Sequence, residues 1–221
     1  VSGNCRLFAQ MLRQGMQGAG VQFVFNAQVT SLSSQPTGIW VDGEPDMRRF
    51  DAVVVCAGAA SHTLLSPRGI RLPMAPVFGY SVSAPLREAT HAPLTSALDV
   101  QEQITITRQG QRVRITGGAE LGSPQAAHHH ATLQKLYRTV NDWFPGGAQL
   151  SGPLQIWRGA RPTLTDGAPA LGSTALPGIW LNTGHGAGGW ALACGCARAL
   201  ADMLSQRAPE ISVQGLEAQR F

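Results

Sequence analysis

Lysine is almost missing from this 221-residue sequence: Lys135 stands alone among 17 basic residues, and all the others are arginines. Arg6, Arg13, Arg48, Arg68, Arg87, Arg112, Arg138, Arg158 and Arg198 are strewn along the chain, with no basic stripe and no interleaved aromatics. A formal charge of +4 spread in that way offers nucleic acid no electrostatic footprint, so no nucleic-acid partner is expected. Cysteine is also scarce. Cys5, Cys56, Cys194 and Cys196 are too few to frame a disulfide scaffold, which points to a reducing, cytoplasmic compartment. Cys194 and Cys196 lack a second Cys or His pair at ligand spacing, and residues two apart on a helix face different sides, so no metal site is expected. No apolar run approaches the roughly 20 residues of a membrane-spanning helix, and no signal peptide is visible. The sequence opens at Val1 without an initiator methionine, from which a fragment is expected.

What is present suffices for one large core or two modest ones, at 43% hydrophobic residues. Ser2 or Asn4 can cap a helix with Leu7, Phe8, Met11, Leu12 and Met16 on one face, stopped by Gly18-Ala19-Gly20. Alternation of Val21, Phe23 and Phe25 predicts a strand directly after it, and Ile39-Trp40-Val41 another, followed by turn chemistry at Asp42 to Pro45. The β-branched run from Asp51 to Gly58 has the character of a strand buried on both faces of a parallel sheet. Between Pro73 and Gly118 the character changes. Tyr80 to Ala84, Ile104 to Thr107 and Val113 to Thr116 alternate, with a hairpin loop at Gln109-Gly110, and predict an antiparallel sheet. A helix carrying Leu133, Leu136, Tyr137, Val140, Trp143 and Phe144 on one face should cover it, ending at Pro145-Gly146-Gly147. A strand at 178–183, a glycine-rich bend and a helix from about Gly189 to Ser205 complete the chain. The expected class is mixed, α+β or α/β, with βα pieces flanking an antiparallel insert, divided as 1–72, 73–160 and 161–221.

Gly184, Gly186 and Gly189 fit the G-x-G-x-x-G pattern between strand and helix. That fingerprint, however, opens a βαβ unit with an acidic residue closing the second strand, whereas Asp202 sits on the helix itself and only a short tail follows. The same parts suit another task, since free N–H groups and the positive end of a helix dipole favour a nearby negative charge. Ala191, Ala193, Cys194, Gly195, Cys196 and Ala197 keep the following helix slim, which admits either a cofactor or ordinary packing on a sheet. A reduced flavin, anionic around N1 and the C2 carbonyl, is a ligand such a bend suits.

The stretches from Trp157 to Gly172 (WRGARPTLTDGAPALG) and from Leu181 to Gly195 (LNTGHGAGGWALACG) resemble the small subunit of bacterial D-amino-acid dehydrogenases. Asn4 to Ala9, Asp51 to Gly58, Val77 to Ser81 and Gly117 to Glu120 add to the likeness, which runs through essentially the whole sequence. The wider group holds D-amino-acid oxidase, glycine oxidase and sarcosine oxidase. The resemblance implies a partial FAD-binding domain with an inserted antiparallel substrate domain, and it implies that the family's N-terminal dinucleotide-binding half is missing from this sequence. By the same resemblance FAD is the cofactor, and Arg161, of Arg161-Pro162, takes the carboxylate of a small D-amino acid. Gly184, His185, Gly186, Ala187, Gly188, Gly189 and Trp190 should lie along the flavin, and Val29, Ala57 and Gly58 near its adenosine half. Tyr80 either borders the substrate or packs the sheet. His185 is expected to pack on the cofactor, not to act as a base, because the chemistry implied is hydride transfer between positioned partners. No residue is assigned a catalytic role. Metal binding is not expected at His128 to His130. The electron acceptor implied is respiratory, which would bring the protein to the inner face of the bacterial membrane as a peripheral partner. The rival readings are an oxidase of the glycine or sarcosine type and a catalytically inactive truncated fragment.

Overall fold

Asn4 caps the first helix, its Oδ1 accepting from the N–H groups of Arg6 at 3.1 Å and Leu7 at 3.2 Å. The structure, a computed structural model, describes residues 3–123 and 125–221, so Ser2, the alternative cap, lies outside the described residues. Helix α1 spans Cys5–Gly18, and Gly20 leaves it at a φ of +88°, which glycine adopts without steric cost. Strands β1 (Val29–Ser34), β2 (Thr37–Val41), β3 (Arg48–Arg49) and β4 (Val53–Val55) follow, then the short helix α2 (Ser61–Leu65). Next come β5 (Met74–Pro85), β6 (Ala97–Asp99), β7 (Ile104–Gln109) and β8 (Arg112–Leu121), and helix α3 (His130–Trp143). The chain ends with β9 (Gln155–Leu164), β10 (Ala170–Ser173), β11 (Ile179–Thr183) and helix α4 (Gly189–Leu204). The fold is mixed α/β. It divides into two compact units, one of α1 with Val77–Ala160, the other of Gln22–Pro76 with Arg161–Phe221.

In the first unit the alternation read from sequence becomes sheet register. The five-stranded sheet runs β6-β7-β8-β5-β9, and β8 lies antiparallel to both β7 and β5, with Val82 opposite Ile115 and Ala84 opposite Val113. Gln109 faces Arg112 across the hairpin, whose Gly110 takes a φ of +61°. Tyr80, Val82, Ile104, Ile106, Val113 and Ile115 share one buried cluster with Leu133, Leu136 and Val140 of α3. Helix α3 therefore covers the sheet as its 3.6-residue periodicity requires, with Phe144 as its C-cap. Helix α1 has the expected apolar face but no buried residue: Leu7, Met11, Leu12 and Met16 are all exposed.

The second unit holds two three-stranded sheets, β1-β2-β3 and β10-β11-β4. Strand β11 runs parallel to β4, pairing Ile179 with Val53 and Leu181 with Val55, so the β-branched run does enter a parallel pair. Only Val55 is fully buried there, while Val53 and Val54 are half-buried. The strand expected at Val21 to Phe25 does not form. None of the three sheets takes that segment in, and alternation alone does not make a strand, which needs a neighbouring strand to pair with. The rings of Phe23 and Phe25 stack on each other instead, 6.2 Å between centroids. Leu32, Val55, Leu65, Leu164, Ile179 and Leu181 form one core, and Leu171 meets Cys196, Ala199 and Leu200 of α4 in another. Cys196 is thus a packing residue whereas Cys194 is exposed, as two positions 200° apart on a helix must be.

Candidate functional site

Three segments distant in sequence meet at one end of the parallel pair β4–β11. After β4 the chain turns through Ala57 and Gly58, after β11 through Gly184 to Gly188, and Arg161-Pro162-Thr163 of β9 adjoins both. Thr163 forms an isolated antiparallel bridge with His185. A Cβ on Gly58 would come within 3.9 Å of the Pro162 ring, and one on Gly186 within 3.4 Å of the Thr163 hydroxyl. Two buried hydroxyls hold the turn after β4 to the end of β11: Ser61 Oγ and Thr183 Oγ1 lie 3.0 Å apart, and Thr183 Oγ1 donates to the Gly58 carbonyl at 3.3 Å.

The bend itself requires glycine. Gly184 is buried at a φ of +80°, and a Cβ there would sit 2.5 Å from a methyl of Leu164. Gly186 has a φ of +53°. A 3-10 turn, Gly186–Gly188, leads into α4, and no side chain caps either element. The amide end of α4 is therefore left for a ligand or solvent. Two buried polar atoms here have no hydrogen-bond partner, Asn182 Oδ1 on β11 and His185 Nε2 in the bend. Buried groups of that kind are seldom left unsatisfied, and both sit beside the uncapped helix start. Burial pushes the His185 imidazole below its ordinary pKa, so the ring is neutral at neutral pH. The first turns of α4, Trp190 to Gly195, are small or apolar and exposed, 53% for Trp190. Glycine-shaped space, an uncapped helix start, unpartnered polar atoms and an apolar wall together fit a flat heteroaromatic group with polar edges.

Arg161 is half-buried, and burial shifts its guanidinium below the usual arginine value without discharging it at physiological pH. Of the positions named from sequence, Gly58, Arg161 and Gly184 to Trp190 come together in the second unit, with Ala57 exposed on the turn after β4. Val29 is not among them. It lies on β1, opposite Val41, and packs against the Leu32–Val55 core.

Tyr80 belongs to the first unit, where it is 1% exposed. Its hydroxyl donates to Glu120 Oε2 at 2.9 Å and accepts from the His129 amide at 2.8 Å. Thr132 donates to Glu120 Oε1 at 2.7 Å and also meets His129 Nδ1 at 2.9 Å. The Arg158 guanidinium lies over the Phe78 ring at 3.7 Å and 4.0 Å from Glu120. Desolvation raises the Glu120 pKa, but hydrogen bonds from Thr132 and Tyr80, with the charges of His129 and Arg158, outweigh it and leave the carboxyl below its ordinary value. Tyr80 therefore ties β5 to β8 and to the start of α3, in keeping with a sheet-packing tyrosine. Glu120, Ser61, Asn182 and Thr183 were not singled out as site residues from sequence. The signal for Thr183 was its place directly before the glycine bend, and for Glu120 its place in the Gly117-Gly-Ala-Glu120 segment.

Among known proteins, the sequence model described as FAD dependent oxidoreductase matches residues 2–203. A D-amino acid dehydrogenase from Bradyrhizobium diazoefficiens is 37% identical over the whole of this chain, which spans 52% of that protein. A glycine oxidase from Geobacillus kaustophilus superposes with a TM-score of 0.76 at 21% identity, over 92% of this chain and 54% of that one. An iminodiacetate oxidase from Chelativorans does so with a TM-score of 0.78 at 20% identity, over 96% and 57%. These two likenesses speak for the fold. The chain spans about half the length of the relatives it matches, and it belongs to the FAD-dependent oxidoreductase family.

Proposed function

We propose that the complete protein to which this chain belongs oxidatively deaminates small D-amino acids to 2-oxo acids and ammonia. The observation that carries the reading is the meeting of Arg161-Pro162-Thr163 with the uncapped, glycine-built bend at Gly184 to Trp190, in a chain of an FAD-dependent family whose relative named above is a D-amino acid dehydrogenase. The isoalloxazine of FAD would lie against Gly184 to Trp190, where the amide end of α4 favours negative charge on the reduced ring. Gly58 and Ala57 would serve the adenosine side, and Val29 would support that side from behind, as a core residue. When bound there, FAD would supply two-electron oxidising chemistry for the amino acid Cα. The chain's own part is positioning. Arg161, planar and always charged, would take the substrate carboxylate in a bidentate grip and so fix the Cα. Tyr80 would act at most as a wall of the substrate unit, since its hydroxyl is engaged within that unit.

The division expected from sequence gives 1–72 and 161–221 to the FAD domain and 73–160 to the substrate domain; in this reading α1, which forms one compact unit with Val77–Ala160, goes with the substrate domain, and an N-terminal half is the partner of the FAD domain. A respiratory acceptor at the inner face of the membrane would receive the electrons. Among the described residues no helix is long and apolar enough to cross a membrane. In the complete protein Arg161→Leu should raise KM for a D-amino acid by about a hundredfold or more, the loss of a charge-assisted bidentate contact of about 3 kcal/mol. An unchanged KM would overturn the carboxylate assignment. Peroxide released in air without an added acceptor would replace the dehydrogenase by an oxidase of the glycine or sarcosine type.

A further inference from the structure

The face of the first unit's sheet turned away from α3 carries a cavity of about 310 Å³, lined by Ser81 and Ser83 of β5, Gln109 of β7, Arg112 and Arg114 of β8, Gln155 and Trp157 of β9, and Asn4 and Arg6 of α1. Arg112 and Arg114 are two apart on one strand. They therefore share a face, while Val113 and Ile115 between and beyond them point into the core under α3. The two serines, likewise two apart, come from the neighbouring strand and hold the arginines still: Ser83 Oγ accepts from Arg112 Nε at 2.8 Å, and Ser81 Oγ accepts from Arg114 Nε at 2.8 Å. Arg112 Nη2 is further bound to the carbonyls of Ser83 and Pro153. Both Nη groups of Arg114 and Nη1 of Arg112 remain for a ligand.

No acidic side chain lines the cavity, and among the described residues none of Arg6, Arg112 and Arg114 has a carboxylate partner. Elsewhere in the chain the contrast is plain: Arg48, Arg198, Arg207 and Arg220 each reach a carboxylate. Three uncompensated guanidinium groups around one concave space repel one another and focus a positive potential that only an anion relieves. One wall is aromatic. The Trp157 indole lies flat along its own strand over Gly159, where a Cβ would fall 1.8 Å from the ring, and it is 62% exposed.

We infer that this cavity is a binding site for a small polyanion, a molecule carrying two or more carboxylate or phosphate groups, gripped by Arg6, Arg112 and Arg114 and bordered by Trp157. Planar guanidinium groups already oriented by serines match such oxyanions with little ordering still to be done. The site is built wholly within the first unit and uses neither Arg161 nor the glycine bend, so it stands or falls apart from the function proposed above.

The test is calorimetric titration of the complete protein to which this chain belongs with citrate and, separately, inorganic pyrophosphate, at low ionic strength. One-to-one binding of either is expected, weakening at least about tenfold in Arg114→Gln and likewise in Arg6→Gln, each contact being charge-assisted. Tighter citrate assigns the site to carboxylates, and tighter pyrophosphate to phosphates. Arg6 is exposed on α1 and bonds nothing in the sheet, so its variant keeps the fold and the test valid even if Arg114→Gln unfolds. Absence of binding by both anions, or binding that neither substitution weakens, would overturn the site.

Discussion

The two units differ in what stands beside their buried polar groups. In the first, Tyr80, Glu120, Thr132 and His129 bond one another beside the sheet that α3 covers, and the buried Arg158 Nε, which has no hydrogen-bond partner, lies 4.0 Å from the Glu120 carboxylate. In the second, the tight turn at Gly184 leaves Asn182 Oδ1 and His185 Nε2 without partners beside an uncapped helix and an exposed apolar stretch. A closed network is what a scaffold needs. Unpartnered polar atoms next to an uncapped helix start are what a ligand seat shows before its ligand is counted. Under the proposed function the first unit would be the scaffold and the second the cofactor seat.

Substitutions can break that contrast from either side. The largest effect should come from Leu136→Ala, which hollows the cluster between α3 and the sheet at a residue 1% exposed. A loss of about 2–5 kcal/mol is expected in denaturant unfolding of the first unit. Gly184→Ala should come next, since a Cβ at a φ of +80° also meets Leu164, at a cost of about 2–3 kcal/mol that differential scanning calorimetry would assign to the second unit. Tyr80→Phe removes one donor from Glu120 and the acceptor of the part-buried His129 amide, about 1 kcal/mol.

The smallest effect is one of pH. Because the folded-state pKa of Glu120 is depressed, its contribution is complete above the ordinary glutamate value of about 4.3 and is lost as pH falls through the folded value. Glu120→Gln should flatten that acid limb in a pH series of unfolding curves. An acid limb of unchanged steepness would mean that the network does not hold the carboxylate in its charged form.

Legibility in the sequence followed the range of the interactions. Period-two alternation is local, and it located β5, β7, β8 and their hairpin, just as the 3.6-residue period located α1 and α3. The same signal misled at Val21 to Phe25, because pairing is decided by a neighbour that alternation cannot see. Strand β9 went unread since Arg158, Gly159, Arg161 and Pro162 look like loop chemistry, although the strand is what carries Arg161 to the site. The bend at Gly184 to Gly189 was visible through its glycines. The hydroxyls that anchor it were not, because Ser61 and Thr183 lie far apart in sequence and meet only once β4 and β11 are parallel. For the same reason Glu120 became a partner of Tyr80 only through the register of β5 on β8.

The central claim is that the Gly184 bend seats the flavin, and the most direct measurement is the bound-flavin content of the complete protein carrying Gly184→Ala, read from its visible absorbance against protein concentration. The account predicts a protein that retains the first unit's unfolding transition but has lost most of its flavin. Full flavin occupancy with an unaltered spectrum would contradict it.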